Sequence, residues 1–380
     1  TAYHLNKFCG LSSLVVEKRD TVGGTAGSVK QNGFTFDYTG HLLHLHDPYG
    51  KKLILDLLQG NLASQERRSW IYSQGAFTRY PFQANTYGLP QKAVEDCLVG
   101  FLKTVHRPRP LGPNPSFRDW SLSHFGEGIS KHFMLPYNEK LWRTPLSRMT
   151  TEWQGRFVPK PKVGEVLYGA LLDQTKSFGY NATFRYPIRG GIQVLPDALA
   201  ARLNPGQVRT GAAVISVDLE QKIAVVEGLG EVKFERLVNT LPLTDFLDLA
   251  SPLPEGVKAA RKLLRYNTVY NLNIGIARAG MSDKHWIYFP EKKYPFYRAG
   301  FCSNFARSLA PRGTSSLYIE VSRKPQERVD YRFLERSIEN GLRGSGLLRK
   351  SDKVVTRLWI PIECAYVIYD FNRTAAVETI

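Results

Sequence analysis

Acidic residues and cysteines are few in this 380-residue chain, and both shortages exclude something. Against 51 lysines and arginines stand 34 aspartates and glutamates, a formal charge of +17. Such a balance suits nucleic acid, but the basic residues are scattered over many predicted elements and no nucleic-acid motif occurs. One remaining reading is attraction of an anionic cofactor and substrate; the other, which explains most of the charge, is simply a basic solvated surface, and no nucleic-acid partner is expected. The four cysteines, Cys9, Cys97, Cys302 and Cys364, lie far apart with no C-x-x-C between any two. They are expected to be reduced core residues of a cytoplasmic protein. No His/Cys/Asp cluster has zinc spacing. His41, His44 and His46 sit close together on a predicted strand or turn, and no metal is assigned to them. No apolar run is long enough to span a bilayer, and there is no internal repeat or low-complexity stretch. What is present is 43% hydrophobic and 22% charged, a globular composition in a chain long enough for two or three domains.

The most informative stretch is 13–46. Leu14-Val15-Val16 is a short β-branched run of the kind that forms a buried strand. It ends on Glu17, an acid placed to accept hydrogen bonds from the two ribose hydroxyls of an adenosine. Gly23-Gly24 lets backbone approach a pyrophosphate with no Cβ in the way. Val29 to Asp37 alternates and predicts a hairpin around Gln31-Asn32-Gly33. Gly40-His41 closes the segment.

In order and spacing, these residues resemble the flavin-binding segment shared by amine oxidases, protoporphyrinogen oxidases and UDP-galactopyranose mutases. The likeness to the mutases continues through Pro136-Tyr137-Asn138-Glu139-Lys140-Leu141-Trp142 and Trp153-Gln154-Gly155-Arg156-Phe157-Val158. It extends to Asn181-Ala182-Thr183-Phe184-Arg185-Tyr186-Pro187, Arg189-Gly190-Gly191, Trp286-Ile287-Tyr288-Phe289-Pro290-Glu291 and Pro295-Phe296-Tyr297-Arg298-Ala299-Gly300. The fold this implies is α/β, a dinucleotide (FAD)-binding Rossmann-like domain with an inserted helical domain and an antiparallel-sheet substrate domain. The corresponding boundaries are 1–46 with 185–250 for FAD, 47–184 for the mainly helical insertion and 251–380 for the substrate domain. No first strand with a G-x-G-x-x-G turn precedes Leu14, and no glycine-rich closing motif follows Tyr366-Val367-Ile368-Tyr369-Asp370. The chain is therefore expected to be a fragment cut at both ends of the cofactor site.

Local patterns set further expectations. Helical spacing covers 49–60, and a second hairpin over 69–80 turns at Gln74-Gly75. An amphipathic helix starts at Pro90 with Val94, Cys97, Leu98, Phe101 and Val105 on one stripe. A proline-rich linker spans 107–115, and Ser116 is a candidate N-cap with Asp119 in the capping-box position. Helices are predicted over 192–203, 254–264 and 328–343. Strands are predicted over 212–217, 223–226, 237–240, 268–276, 315–321 and 353–359, with 237–240 as a parallel strand of the flavin sheet.

The resemblance implies the chemistry and its residues. It implies interconversion of UDP-galactopyranose and UDP-galactofuranose through reduced FAD, with NAD(P)H as the reductant. Glu17, Gly23, Gly24, Gly40, His41 and Val214 match cofactor positions, Val214 where family backbone touches the adenine. His41 and Arg298 match the catalytic positions, and Arg298 is one of two diphosphate-clamping arginines. The second clamp falls on Phe157, one residue after Arg156, so either a bulge brings Arg156 to the site or that clamp is lost. Tyr80, Gln83, Asn138, Trp142, Asn181, Tyr288 and Tyr366 match positions around the nucleotide-sugar substrate. Two rival readings are an FAD-dependent oxidoreductase of the amine oxidase or protoporphyrinogen oxidase type, and a non-catalytic anion-binding protein.

Overall fold

The computed structural model describes residues 1–155, 158–176, 178–179 and 181–380. Its largest unit is a seven-stranded sheet. The strand order is Val354–Val367, Tyr266–Ile276, Ser315–Arg323, Arg298–Phe301, Trp286–Tyr288, Ser69–Ser73 and Ala76–Arg79. Every ladder is antiparallel except that of Trp286–Tyr288 with Ser69–Ser73. The hairpin 69–79 thus extends the sheet built by 251–380. Its turn residues Gln74 and Gly75 both have positive φ, as do Asn32 and Gly33 in the earlier hairpin, the geometry that tight two-residue turns need.

The two faces of this sheet differ in chemistry because strand side chains alternate. Leu272, Ile274, Ile276, Ile287, Ala299, Phe301, Leu317, Ile319 and Val321 point one way and pack with Leu334, Ile338 and Leu342 of the helix Tyr331–Gly344. The intervening positions carry Asn271, Asn273, Trp286, Tyr288, Arg298, Tyr318 and Glu320 on the opposite face. Polar groups on a covered face need partners, and this face becomes the floor of the site. The edge strand Val354–Val367 runs well past the expected 353–359. Pro361 interrupts nothing there, since an edge strand has one side free of ladder bonds.

The helical segment packs Gln91–His106 against Phe117–Ile129. Ser116 caps the second helix, accepting from the Asp119 amide at 3.2 Å. A wide turn over Ser130–Met134 leads into Leu135–Trp142. The two long helices approach backbone to backbone, and a Cβ on Gly128 would overlap the Asp96 carbonyl. Alanine is the better helix former by about 1 kcal/mol, but forced overpacking costs about 1–3 kcal/mol. Gly128→Ala is therefore expected to lower the melting temperature, read by circular dichroism; an unchanged or higher value would show that the helices can separate freely.

The nucleotide-type half is smaller. Val15–Val16 pairs in parallel with Val208–Arg209. Gly230–Lys233, Ile223–Val226, Val214–Asp218 and Ala250–Ser251 form a four-stranded sheet in that order. Three expectations need correction. Val15 and Val16 are half-buried and Leu14 is exposed, so that strand is not a core strand. Residues 237–240 form no strand, and Leu237 and Val238 are exposed; among the described residues no neighbour supplies the ladder that an extended run requires. All four cysteines are free, but Cys9 is exposed, because the helix Ala2–Cys9 buries none of its residues. Among the described residues no helix is long and apolar enough to cross a membrane.

Candidate active site

The segment 27–41 carries the cofactor half to the sheet. Asp37 anchors it. This buried carboxylate accepts from Ser28 Oγ at 2.6 Å, the Tyr186 hydroxyl at 2.6 Å and the Ile192 amide at 3.3 Å. Burial pushes its pKa up to about 6. Gly191 passes so close that a Cβ there would meet Ser28 Oγ and Asp37 Oδ1, which accounts for glycine in the Arg189-Gly190-Gly191 turn. Beyond Asp37, Thr39 takes a positive φ of 71°, and Gly40 slips under Tyr318, where a Cβ would sit 2.9 Å from the hydroxyl. This delivers His41 to the polar face of the sheet.

A cleft of about 350 Å³ opens there. Six of the residues picked from sequence line it: Gly40, His41, Tyr80, Asn181, Tyr288 and Arg298. Tyr80 and Tyr288 lie with ring centroids 5.3 Å apart, an aromatic wall suited to a base or sugar face. Burial lowers the His41 pKa below its ordinary value, which favours the neutral ring, with one donor and one acceptor. Its Nδ1 is buried and has no hydrogen-bond partner among the described residues.

Arg298 does not stand alone. Its Nε and Nη2 donate to Glu320 Oε2 and Oε1 at 2.8 and 2.6 Å, a bidentate pair across directly opposed strand positions. Glu320 is fully buried. Burial disfavours the Arg298 charge, but Glu320 together with the surrounding Tyr318, Tyr366 and Tyr297 more than offsets it and holds the guanidinium above its usual range. The pair with Glu320 engages Nε and Nη2, and Arg298 also lines the cleft, where the rest of its fork can face an anion. Sequence reasoning missed Glu320, although there was a signal. One acid inside Leu317-Tyr318-Ile319-Glu320-Val321, a buried run, must find a cation.

Arg67 is the second cation of the cleft, and it was also missed. It donates to the Phe178 carbonyl at 2.7 Å and lies 4.8 Å over the Tyr80 ring. Nothing in its neighbourhood distinguishes it from the other surface arginines. Arg156 lies outside the described residues, so its alternatives are left where the sequence put them.

Of the remaining substrate candidates, Gln83, Asn138, Trp142 and Tyr366 do not line the cleft. Asn138 and Trp142 are one helical turn apart and bond to each other, Trp142 Nε1 to Asn138 Oδ1 at 3.1 Å. Both are buried and neither lines the cleft. Tyr366 packs edge-on against Trp142 at 5.7 Å, and Gln83 donates to the carbonyl of Pro159, a cleft residue, at 2.8 Å.

The flavin dinucleotide expected from sequence has features to meet it. Glu17 stands at the end of Val15–Val16, with Oε1 fixed by the Arg19 amide at 2.9 Å. Gly24, at φ 55°, has no atom within 4 Å of where a Cβ would be, so its side is open to a ligand. Gly23 instead packs against Pro196, 2.6 Å from a hypothetical Cβ, and serves the loop-to-helix contact. Val214 is half-buried at the start of its strand. At the far end, His41 lines the cleft with its Nδ1 buried. The donor set and the open cradle fit the group.

The model of the family described as flavin containing amine oxidoreductase matches residues 1–328. A crystal structure of reduced UDP-galactopyranose mutase is 29% identical, covers 100% of this chain and 83% of its own, and superposes with a TM-score of 0.92. A protein from Exiguobacterium sp. 255-15 assigned as protoporphyrinogen oxidase is 13% identical over 99% of this chain and 86% of its own, with a TM-score of 0.74. Putrescine oxidase bound to putrescine is 16% identical over 98% and 86%, with a TM-score of 0.64. The last two share the fold. With the cradle, the histidine and the cleft in place and the family match running through most of its length, the chain belongs to the flavin-containing amine oxidoreductase family, on the branch that resembles UDP-galactopyranose mutase.

Proposed function

We propose that the protein binds FAD, accepts electrons from NAD(P)H, and interconverts UDP-galactopyranose with UDP-galactofuranose. The observation that carries this reading is the meeting of two guanidiniums, Arg67 and Arg298, with paired tyrosines and a neutral histidine in one cleft. An oxidase of simple amines has no use for two fixed cations. A leaving diphosphate does, because its charge must be neutralised where it develops. Arg298 lines the cleft and is held in place by Glu320, so it binds without reorganising. Arg67 offers its charge from the Tyr80 side. Tyr80 and Tyr288 present ring faces and hydroxyls to the nucleotide. His41, neutral, holds a proton on one ring nitrogen and keeps the other as acceptor. Glu17 and Gly24 orient the dinucleotide through its sugar and phosphate end. When bound and reduced, the flavin supplies the electron-rich centre that the sugar rearrangement needs, without net oxidation.

The test uses the flavin-loaded protein, with flavin reduced by dithionite or NADPH and UDP-galactofuranose added. Conversion to UDP-galactopyranose, followed by chromatography, is expected. Oxygen consumption with amines or porphyrinogens and no pyranose product would overturn the mutase reading and favour the oxidase one.

A further inference from the structure

Tyr288 and Arg298 face each other directly across a ladder, and the chain between them forms one loop. Its base is closed by the Phe289 amide donating to the Tyr297 carbonyl at 2.9 Å. Inside the loop lies a side chain from another element. Lys140, on the helix Leu135–Trp142, donates from Nζ to the carbonyls of Phe289, Glu291 and Phe296 at 2.7, 3.0 and 2.6 Å. Burial pushes its pKa down to about 7, while three carbonyl acceptors favour the protonated form, the only one with three N–H donors. Three residues earlier on the same helix, Tyr137 sets its ring edge-on to Tyr288 at 5.3 Å and to Tyr297 at 6.2 Å. Helical spacing puts both grips on one side of the helix.

We infer that Lys140 is a positioning residue: its ammonium fills a cage of three backbone carbonyls and so holds Tyr288 and Arg298 at the separation that anion binding requires. The inference rests on the nucleotide-sugar reading for its choice of ligand but not for its geometry. Lys140 does not line the cleft, and its Nζ reaches backbone carbonyls, so it acts through the loop. With the cage empty, three inward carbonyls repel one another and the loop must relax, carrying both site residues with it.

The probe is UDP, titrated by calorimetry. Lys140→Met keeps most of the volume, ends one atom short of Nζ and donates nothing. It is expected to weaken UDP binding roughly 10- to 100-fold, the scale on which small misplacements act. Lys292→Met removes an equal charge from the exposed part of the same loop and is expected to bind as wild type. Lys140→Ala deletes the atoms of n-propylammonium. That cation, added at constant ionic strength against sodium, is expected to restore most of the lost affinity, a rescue that a general loss of packing or charge would not show. Lys140→Met binding UDP like wild type, or Lys140→Ala indifferent to n-propylammonium, would overturn the inference. So would both variants failing to fold with or without the amine, which would make the cage scaffold alone. Wild-type protein that ignores UDP would count against the nucleotide-sugar reading only, and the same series is then titrated with inorganic pyrophosphate.

Discussion

Arg298→Ala is expected to weaken UDP binding severely and to destabilise the fold at the same time. The binding loss follows from removing a buried, charged partner of the diphosphate, worth about 2–5 kcal/mol, or roughly 30- to 5,000-fold in affinity. The fold loss follows from Glu320, which would be left buried and unpaired. The two effects separate in a double variant. Arg298→Met with Glu320→Leu replaces the whole pair with apolar groups of similar size, which is often neutral for stability. That protein is expected to melt near wild type and still bind UDP poorly. Arg298→Lys keeps the charge but loses the planar fork, and its affinity is expected to fall between the two. If the double variant binds UDP normally, Arg298 is structural and the cleft must hold its ligand through Arg67.

Glu320→Ala alone carries the second large effect, this time on stability. The substitution strands a guanidinium whose side chain is only 19% exposed. Breaking a buried pair from one side costs about 3–5 kcal/mol, a large share of the 5–15 kcal/mol that a domain commands. The denaturation midpoint in urea is expected to fall sharply. Glu320→Gln retains the shape and one acceptor, so its midpoint is expected to lie between alanine and wild type. A Glu320→Ala protein with an unchanged midpoint would mean that water reaches the arginine and that the pair is not truly buried.

The parts of the fold that were legible are those governed by local chemistry. Asn32-Gly33 and Gln74-Gly75 mark their turns because few residues accept positive φ, and Ser116 marks a helix start because its hydroxyl replaces a missing backbone partner. The run 237–240 failed because an apolar stretch becomes a strand only beside another strand, which its own letters do not reveal. The site was legible where motifs placed residues on the polar face of two neighbouring strands, as with Tyr288 and Arg298. Asn138 and Trp142 could have been separated from the cleft in advance, since four residues apart on a helix they are within reach of each other. Arg67 could not have been foreseen, because it enters the cleft from a mixed, unpatterned segment. Glu320 could have been, by asking what neutralises a lone carboxylate in an oily run.

The division of the seven-stranded sheet into an oily side and a polar side has a consequence for how this molecule can change. Selection for a new ligand acts at positions such as 286, 288, 298 and 318, while the residues that clasp the helix Tyr331–Gly344 occupy the alternate places on the same strands. Neighbouring letters in one strand therefore answer to separate pressures. A lineage could trade one anionic ligand for another by altering every second residue, with the foundation underneath never consulted. Relatives with divergent appetites and a common frame are what such an arrangement would leave behind.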